Sequence, residues 1–125
     1  MIVGTGVDLE RVDRVRAAIA RHGKRFLDRV FTAAEIAYVE GKKNRGERYA
    51  ARFAAKEAAM KALGTGWDRG VRWVDVEIVR EDGGRPGLRF HGRAAEIAAE
   101  LGCRAASVSL SHTSENAIAQ VILER

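Results

Sequence analysis

Between Tyr49 and Leu63 the chain reads Tyr-Ala-Ala-Arg-Phe-Ala-Ala-Lys-Glu-Ala-Ala-Met-Lys-Ala-Leu, with no glycine or proline inside it. Wound at 100° per residue, Tyr49, Phe53 and Met60 fall within about 40° of one another. Ala51, Ala55, Ala58 and Ala62 fill much of the opposite side. A helix that is apolar or small nearly all round packs on several sides at once. The rest of the fold therefore has to be built around it. The pattern predicts a helix from about Gly46 to Leu63, closed by Gly64 as a left-handed cap. Arg48, Arg52 and Lys56, at i, i+4 and i+8, read as its solvent stripe. Glu57 lies inside the apolar arc, with Lys61 just beyond it.

The remaining elements follow from period and punctuation. Ile2 to Leu9 reads as a strand, with Val3, Val7 and Leu9 on one face and Gly4, Gly6 and Asp8 on the other. Val12, Val15 and Ile19 then keep helical spacing, with arginines on the remaining face. Thr32 and Glu35 form a capping box that starts another helix. In the second half Val74, Val76 and Ile78 alternate with Trp73, Asp75 and Glu77, a turn spans Glu81 to Pro86, and Leu88 and Phe90 begin the return strand. A helix from about Gly92 to Leu101 closes with Gly102. Ala106, Val108 and Leu110 then alternate with Ser107, Ser109 and Ser111, and Ala117 to Leu123 forms a last strand. The order predicts an α+β fold with a mainly antiparallel sheet. At 125 residues, with no repeat, no linker-like tract and one proline, the chain reads as one domain, residues 1–125.

A carboxylate on the apolar arc of the long helix calls for an explanation. A Glu57–Lys61 pair at i, i+4 is the plain one and adds only about 0.2–0.5 kcal/mol to a helix. A desolvated carboxylate needs a cation or a metal. Asp8 favours the second, because it shares a strand face with Gly4 and Gly6, where missing side chains admit another backbone or a ligand. Two carboxylates from separate elements, without a His or Cys cluster, suit a hard ion such as Mg²⁺, completed by water and phosphate oxygens. Lys61 and Arg52 are then the natural phosphate partners.

Charge narrows the partners. Residues 1–62 hold 14 Lys and Arg against 8 Asp and Glu, whereas residues 63–125 hold 8 against 9. The whole basic excess is thus in the first half, densest over residues 11–29. Such a patch attracts nucleic acid, anionic lipid, a phosphorylated small molecule or an acidic protein. A basic nucleic-acid-binding module would use the Arg48, Arg52 and Lys56 stripe for backbone contacts, but aromatic residues are 6% and not interleaved with basic ones. A single cysteine, Cys103, excludes an internal disulfide framework. The apolar run from Met1 to Val7 is too short for a signal peptide or a membrane span, so a cytoplasmic protein without a membrane partner is expected.

Five motifs occur in order: Gly4-Thr-Gly-Val-Asp-Leu9, Phe31-Thr-Ala-Ala-Glu35, Arg52-Phe-Ala-Ala-Lys-Glu-Ala58, Lys61-Ala-Leu-Gly-Thr-Gly66 and Ser109-Leu-Ser-His-Thr113. Together they make the chain resemble the holo-acyl-carrier-protein synthases, small bacterial phosphopantetheinyl transferases, over essentially its whole length. Ala51 departs from the pattern, which commonly has glycine there, and residues 40–48 match loosely. The resemblance implies the phosphopantetheinyl-transferase fold, a mainly antiparallel sheet packed on the long helix. It implies transfer of 4′-phosphopantetheine from coenzyme A to a serine of apo-acyl carrier protein, with release of 3′,5′-ADP. It further implies that Asp8 and Glu57 hold Mg²⁺ on the pyrophosphate, that Lys61 contacts that phosphate, and that Arg52 and His112 serve the nucleotide end near the 3′-phosphate. The family is typically a homotrimer with each site between two subunits.

Several other residues take a role only through the resemblance. Gly64, Thr65 and Gly66 are a helix cap and turn by spacing, and become a loop lining the coenzyme A cleft. His112 heads a turn between strands, flanked by Ser111 and Thr113, which join it as cofactor contacts. Gly83-Gly-Arg-Pro86 is a hairpin turn whose Arg85 can reach the pyrophosphate or the pantetheine arm. Arg14, Arg21, Lys24 and Arg25 are positioned to steer an acidic carrier-protein helix, with Arg14 at the family-matched position. His22 and His91 are expected as surface or packing residues, Cys103 as a small semi-buried one, and Trp67 and Trp73 as core or interface anchors. The proton of the attacking serine can go to Glu57 or to a metal-bound water. A non-enzymatic coenzyme A-binding scaffold is the remaining alternative and predicts binding without turnover.

Overall fold

In the computed structural model, which describes residues 1–65 and 69–125, the long helix is the axis on which everything else is hung. Strand β1 (Ile2–Arg11) leads into α1 (Val12–His22), α2 (Lys24–Val30) and α3 (Ala33–Glu40), and α4 (Arg45–Leu63) follows. Strands β2 (Val76–Arg80) and β3 (Pro86–Phe90), helix α5 (Gly92–Glu100), and strands β4 (Ala105–His112) and β5 (Asn116–Glu124) complete the chain. All strand pairing is antiparallel, but it forms two sheets, β1-β5-β4 and β2-β3. The α+β expectation holds, with the sheet split in two. The alternation expected from Trp73 onward starts only at Val76, because Trp73–Asp75 forms a short 3₁₀ segment. Asp75 is buried there and accepts from the Arg72 backbone N–H (3.0 Å) and guanidinium (2.9 Å), so its side chain caps a turn instead of entering a strand.

The glycine face of β1 lies against α4, not open to a ligand. A methyl built on Gly6 would overlap the carbonyl oxygen of Ala58, and one on Gly4 that of Ala62. Strand and helix backbones thus touch directly, which only glycine permits. The inward residues Ala117, Ala119, Val121 and Leu123 of β5 complete that surface. Val7 and Leu9 face the other way and are 54% and 65% exposed, joined on the outer sheet face by Ile118.

Two of the three cations of the α4 stripe are not at the surface. Lys56 is fully buried and Arg52 is 4% exposed. The Lys56 ammonium donates to Glu35 Oε1 (2.8 Å) and to the carbonyls of Trp73 and Val76. Glu35 is the capping-box residue of α3, and its carboxylate also accepts from the Thr32 (2.8 Å) and Ile78 (2.9 Å) backbone N–H groups. Every proton of the ammonium has an acceptor, so the pair joins α3, α4 and β2. The accessible line on α4 is instead Phe53, Glu57 and Lys61, four residues apart and facing the same way.

Candidate active site

Glycine contact with α4 brings β1 close enough for Asp8 to meet the last turns of the helix. Lys61 Nζ donates to Asp8 Oδ1 and to the Val7 carbonyl, both at 3.0 Å. The plain i, i+4 pairing of Lys61 with Glu57 therefore gives way to a link between helix and strand. Asp8 Oδ2 is buried and has no hydrogen-bond partner. Glu57 stands beside it, and burial first, then the Asp8 charge, raises the Glu57 carboxyl above its ordinary range against the opposing pull of Lys61.

Glu10 belongs to this group, although the sequence reading did not select it. Burial first, then the neighbouring Asp8 carboxylate and the charge of Glu57, push its carboxyl up to about 8. Its signal was available: two residues on from Asp8, it lies on the same strand face. With Glu10 holding its proton below about pH 8, the carboxylates of Asp8 and Glu57 against one ammonium leave an excess of negative charge around a buried, unsatisfied oxygen, the environment a divalent cation relieves. Among the described residues no set of three His, Cys, Asp or Glu forms a ready-made cage. Asp8 and Glu57 thus fit an ion that takes its remaining ligands from water and phosphate, as Mg²⁺ does.

This arrangement sets a pH dependence for the metal-free protein. Glu10 ionises near 4.5 when unfolded and near 8 when folded. Between those values the folded chain holds a proton that the unfolded chain has lost, so this contribution to stability falls as pH rises through the window. Thermal midpoints without metal should decline from pH 5 to 8 more steeply for the wild type than for Glu10→Gln. Parallel curves would show that Glu10 ionises normally.

The other expected contacts have partners of their own. Arg52 lies against Tyr38, its guanidinium 4.7 Å from the ring centroid and its Nε without a hydrogen-bond partner. His112 lies at the end of β4, with Nδ1 3.1 Å from Glu47 Oε2. Arg85 is exposed and, with Glu81 and Pro86, lines a cavity of about 400 Å³ along β4 from Ala106 to Leu110. Ser111 is exposed, and Thr113 Oγ1 accepts from the Glu115 (3.2 Å) and Asn116 (3.1 Å) backbone N–H groups. Gly64 caps α4 at φ 75°, and Thr65 is buried behind it with its N–H on the Met60 carbonyl. Gly66 and Trp67 lie outside the described residues. Arg14, Arg21, Lys24 and Arg25 are exposed on α1 and α2. His91 bonds Glu77 at 3.0 Å, and Cys103 is a half-buried free thiol.

Comparison with known proteins decides the family. The model of the 4′-phosphopantetheinyl transferase superfamily matches residues 4–120. This chain belongs to that superfamily. Among curated relatives it is similar to a holo-[acyl-carrier-protein] synthase of Koribacter versatilis, 57% identical over 124 residues and 99% of each chain. Among solved structures it resembles the holo-[acyl-carrier-protein] synthase of Neisseria meningitidis, with TM-score 0.90, 29% identity and 100% of both chains covered. It also resembles a holo-(acyl-carrier-protein) synthase of Bacillus anthracis in complex with CoA (3′,5′-ADP), with TM-score 0.80, 34% identity, and 98% and 96% covered. Phosphopantetheinyl transfer asks a site to hold a pyrophosphate and neutralise the charge that develops on it. At the contact of β1 with α4 this chain brings two carboxyl groups, Asp8 and Glu57, together with the Lys61 ammonium.

Proposed function

We propose that this chain is a holo-acyl-carrier-protein synthase. It transfers 4′-phosphopantetheine from coenzyme A to a serine hydroxyl of apo-acyl carrier protein and releases 3′,5′-ADP. The convergence of Asp8, Glu57 and Lys61, with a buried Asp8 oxygen lacking a donor, carries the reading. The serine oxygen forms a new bond to the phosphorus on the pantetheine side, and the bond from that phosphorus to the bridging oxygen breaks. Asp8 and Glu57 would hold Mg²⁺, which supplies charge neutralisation at the pyrophosphate when bound. Lys61, 57% exposed, meets the phosphate from the solvent side. The serine proton leaves to a base, and Glu57 is the carboxylate of this site placed to take it. Positioning and electrostatics supply most of the acceleration in such transfers.

Intact-mass spectrometry of apo-acyl carrier protein after incubation with the chain, coenzyme A and Mg²⁺ tests this. A gain of one phosphopantetheine group, abolished by EDTA, is expected. An unchanged mass with a folded enzyme that still binds coenzyme A would favour the non-enzymatic scaffold. A nucleic-acid-binding role loses its helix stripe, because Lys56 and Arg52 are buried.

Coenzyme A contacts from Arg52, Arg85, Ser111, His112, Thr113 and the Gly64–Thr65 cap are retained as part of this reading. Within one chain Arg52 lies against Tyr38 and His112 against Glu47, neither of them a partner of Asp8, which supports sites shared between subunits of a homotrimer. The outer sheet face supports it too, since Val7, Leu9 and Ile118 are large, apolar and exposed. Sedimentation equilibrium should give three times the 13.7 kDa chain mass; a monomer would refute the shared site. Among the described residues no helix is long and apolar enough to cross a membrane, and we place the reaction in the cytoplasm.

The exposed cations of α1 and α2 form the docking face for the acidic carrier. Arg14→Glu should raise KM for carrier protein about tenfold or more and leave KM for coenzyme A within about twofold, because like-charge contact costs encounter rate and register. Equal effects on both would place Arg14 elsewhere.

A further inference from the structure

His112 is held by a device that the transfer reaction, as described so far, does not use. Its ring ends β4, and the turn that follows is fixed by backbone bonds from Thr113 N–H to the Asn116 carbonyl (2.8 Å) and from Val12 N–H to the Glu115 carbonyl (2.9 Å). Those bonds place the His112 backbone but leave the ring free to rotate. Glu47 stands against the ring. Its carboxylate is 13% exposed in the first turn of α4, with Oε2 3.1 Å from His112 Nδ1 and Oε1 3.6 Å from Arg16 Nη2 of α1. Gly46 makes the arrangement possible, because a side chain there would overlap the Arg16 side chain at Nε, Cγ and Cδ. Arg16 therefore lies across the bare backbone of α4 and braces Glu47 from behind. Arg16 of α1 thus backs Glu47 of α4, and Glu47 faces the ring at the end of β4.

We propose that Glu47 is a positioning residue for His112. It fixes the proton on Nδ1 and leaves Nε2 as the ring nitrogen presented to the nucleotide end of coenzyme A. The proposal rests on the reading of His112 as a coenzyme A contact. A histidine's two nitrogens are distinct, and the partner of one sets what the other offers a ligand. With Nδ1–H donated to Glu47, the neutral ring turns a lone pair outward. The protonated ring turns an Nε2–H outward, the donor that an anionic phosphate group accepts. A partly exposed pair of this kind adds little to fold stability, so its consequence is orientation.

The chain has three histidines, His22, His91 and His112. Labelling them with ¹⁵N, and assigning them with His22→Gln and His91→Gln, makes the ring of His112 readable by long-range ¹⁵N–¹H correlation under alkaline conditions where imidazoles are neutral. The wild type should show the Nδ1–H tautomer at His112. Glu47→Ala should switch it to Nε2–H, and Glu47→Gln, whose carbonyl still accepts, should keep Nδ1–H. In turnover, Glu47→Ala should raise KM for coenzyme A about fivefold to tenfold, the value of one placed hydrogen bond. Its kcat and its KM for carrier protein should stay within about twofold, and Glu47→Gln should restore most of the loss. An Nε2–H tautomer in the wild type overturns the proposal whatever the kinetics. An unchanged KM in Glu47→Ala, beside a raised KM in His112→Ala, overturns the positioning role alone. An unchanged KM in His112→Ala overturns the coenzyme A contact itself and, with it, the proposal. If Glu47→Ala fails to fold, the wild-type tautomer and the Glu47→Gln kinetics decide.

Discussion

Glu57→Gln should fold as the wild type does and transfer phosphopantetheine at least about a hundredfold more slowly, the usual cost of losing one preorganised electrostatic group from a transfer site. The two halves of that result have separate causes. Glutamine keeps the volume of the side chain, and Glu57 is only half-buried on the accessible line of α4, so packing is preserved. Stability should be equal or slightly higher without metal, because burial and the Asp8 charge already disfavour the ionised carboxylate. Activity falls because the amide brings no negative charge to a cation and cannot take the serine proton. Thermal unfolding of the metal-free variant and a time course of carrier-protein mass measure the two halves independently. Near-normal turnover would remove Glu57 from the metal and base roles together and leave Asp8 without its partner.

That site was legible because its parts come from local pattern. The helix through Glu57 shows itself by its alanines, and its end by Gly64, which adopts φ 75° as expected. The Thr32–Glu35 capping box is present with both reciprocal bonds. Asp8 entered through its glycine neighbours, and the glycines do admit a backbone, that of α4. Local pattern failed where a long-range partner reverses the meaning of a residue. Arg48, Arg52 and Lys56 have the spacing of a solvated stripe, and nothing within α4 discloses that Glu35 and two carbonyls wait for Lys56 from α3, Trp73 and Val76. Val7 and Leu9 were placed correctly on one face of β1, but which face meets the core depends on where the helix docks. Glu47 gives no sign in sequence, because its partners, His112 and Arg16, come from opposite ends of the chain.

The misread lysine carries the largest stability effect expected of this chain. Burial lowers the Lys56 proton affinity and the Glu35 carboxylate opposes that, so the two are tolerable only as a pair. Lys56→Met fits the space with an apolar chain of similar length but strands a Glu35 carboxylate that is 2% exposed. Breaking a buried pair from one side costs about 3–5 kcal/mol, whereas replacing both partners is often close to neutral. The single variant should therefore lose about 10–25 °C in thermal midpoint. Lys56→Met with Glu35→Gln should recover a large part of it, since the amide removes the stranded charge and its carbonyl can still accept one of the Thr32 and Ile78 N–H groups. A single variant within about 1 kcal/mol of the wild type would mean that Glu35 finds water on losing Lys56. The azimuth of α4 would then be set by glycine contact and alanine packing alone. A double variant no better than the single would assign the cost to the lost carbonyl bonds at Trp73 and Val76. Either way the measurement reaches the active site, because Glu57 is the next residue along the helix and its direction toward Asp8 is fixed by whatever fixes Lys56.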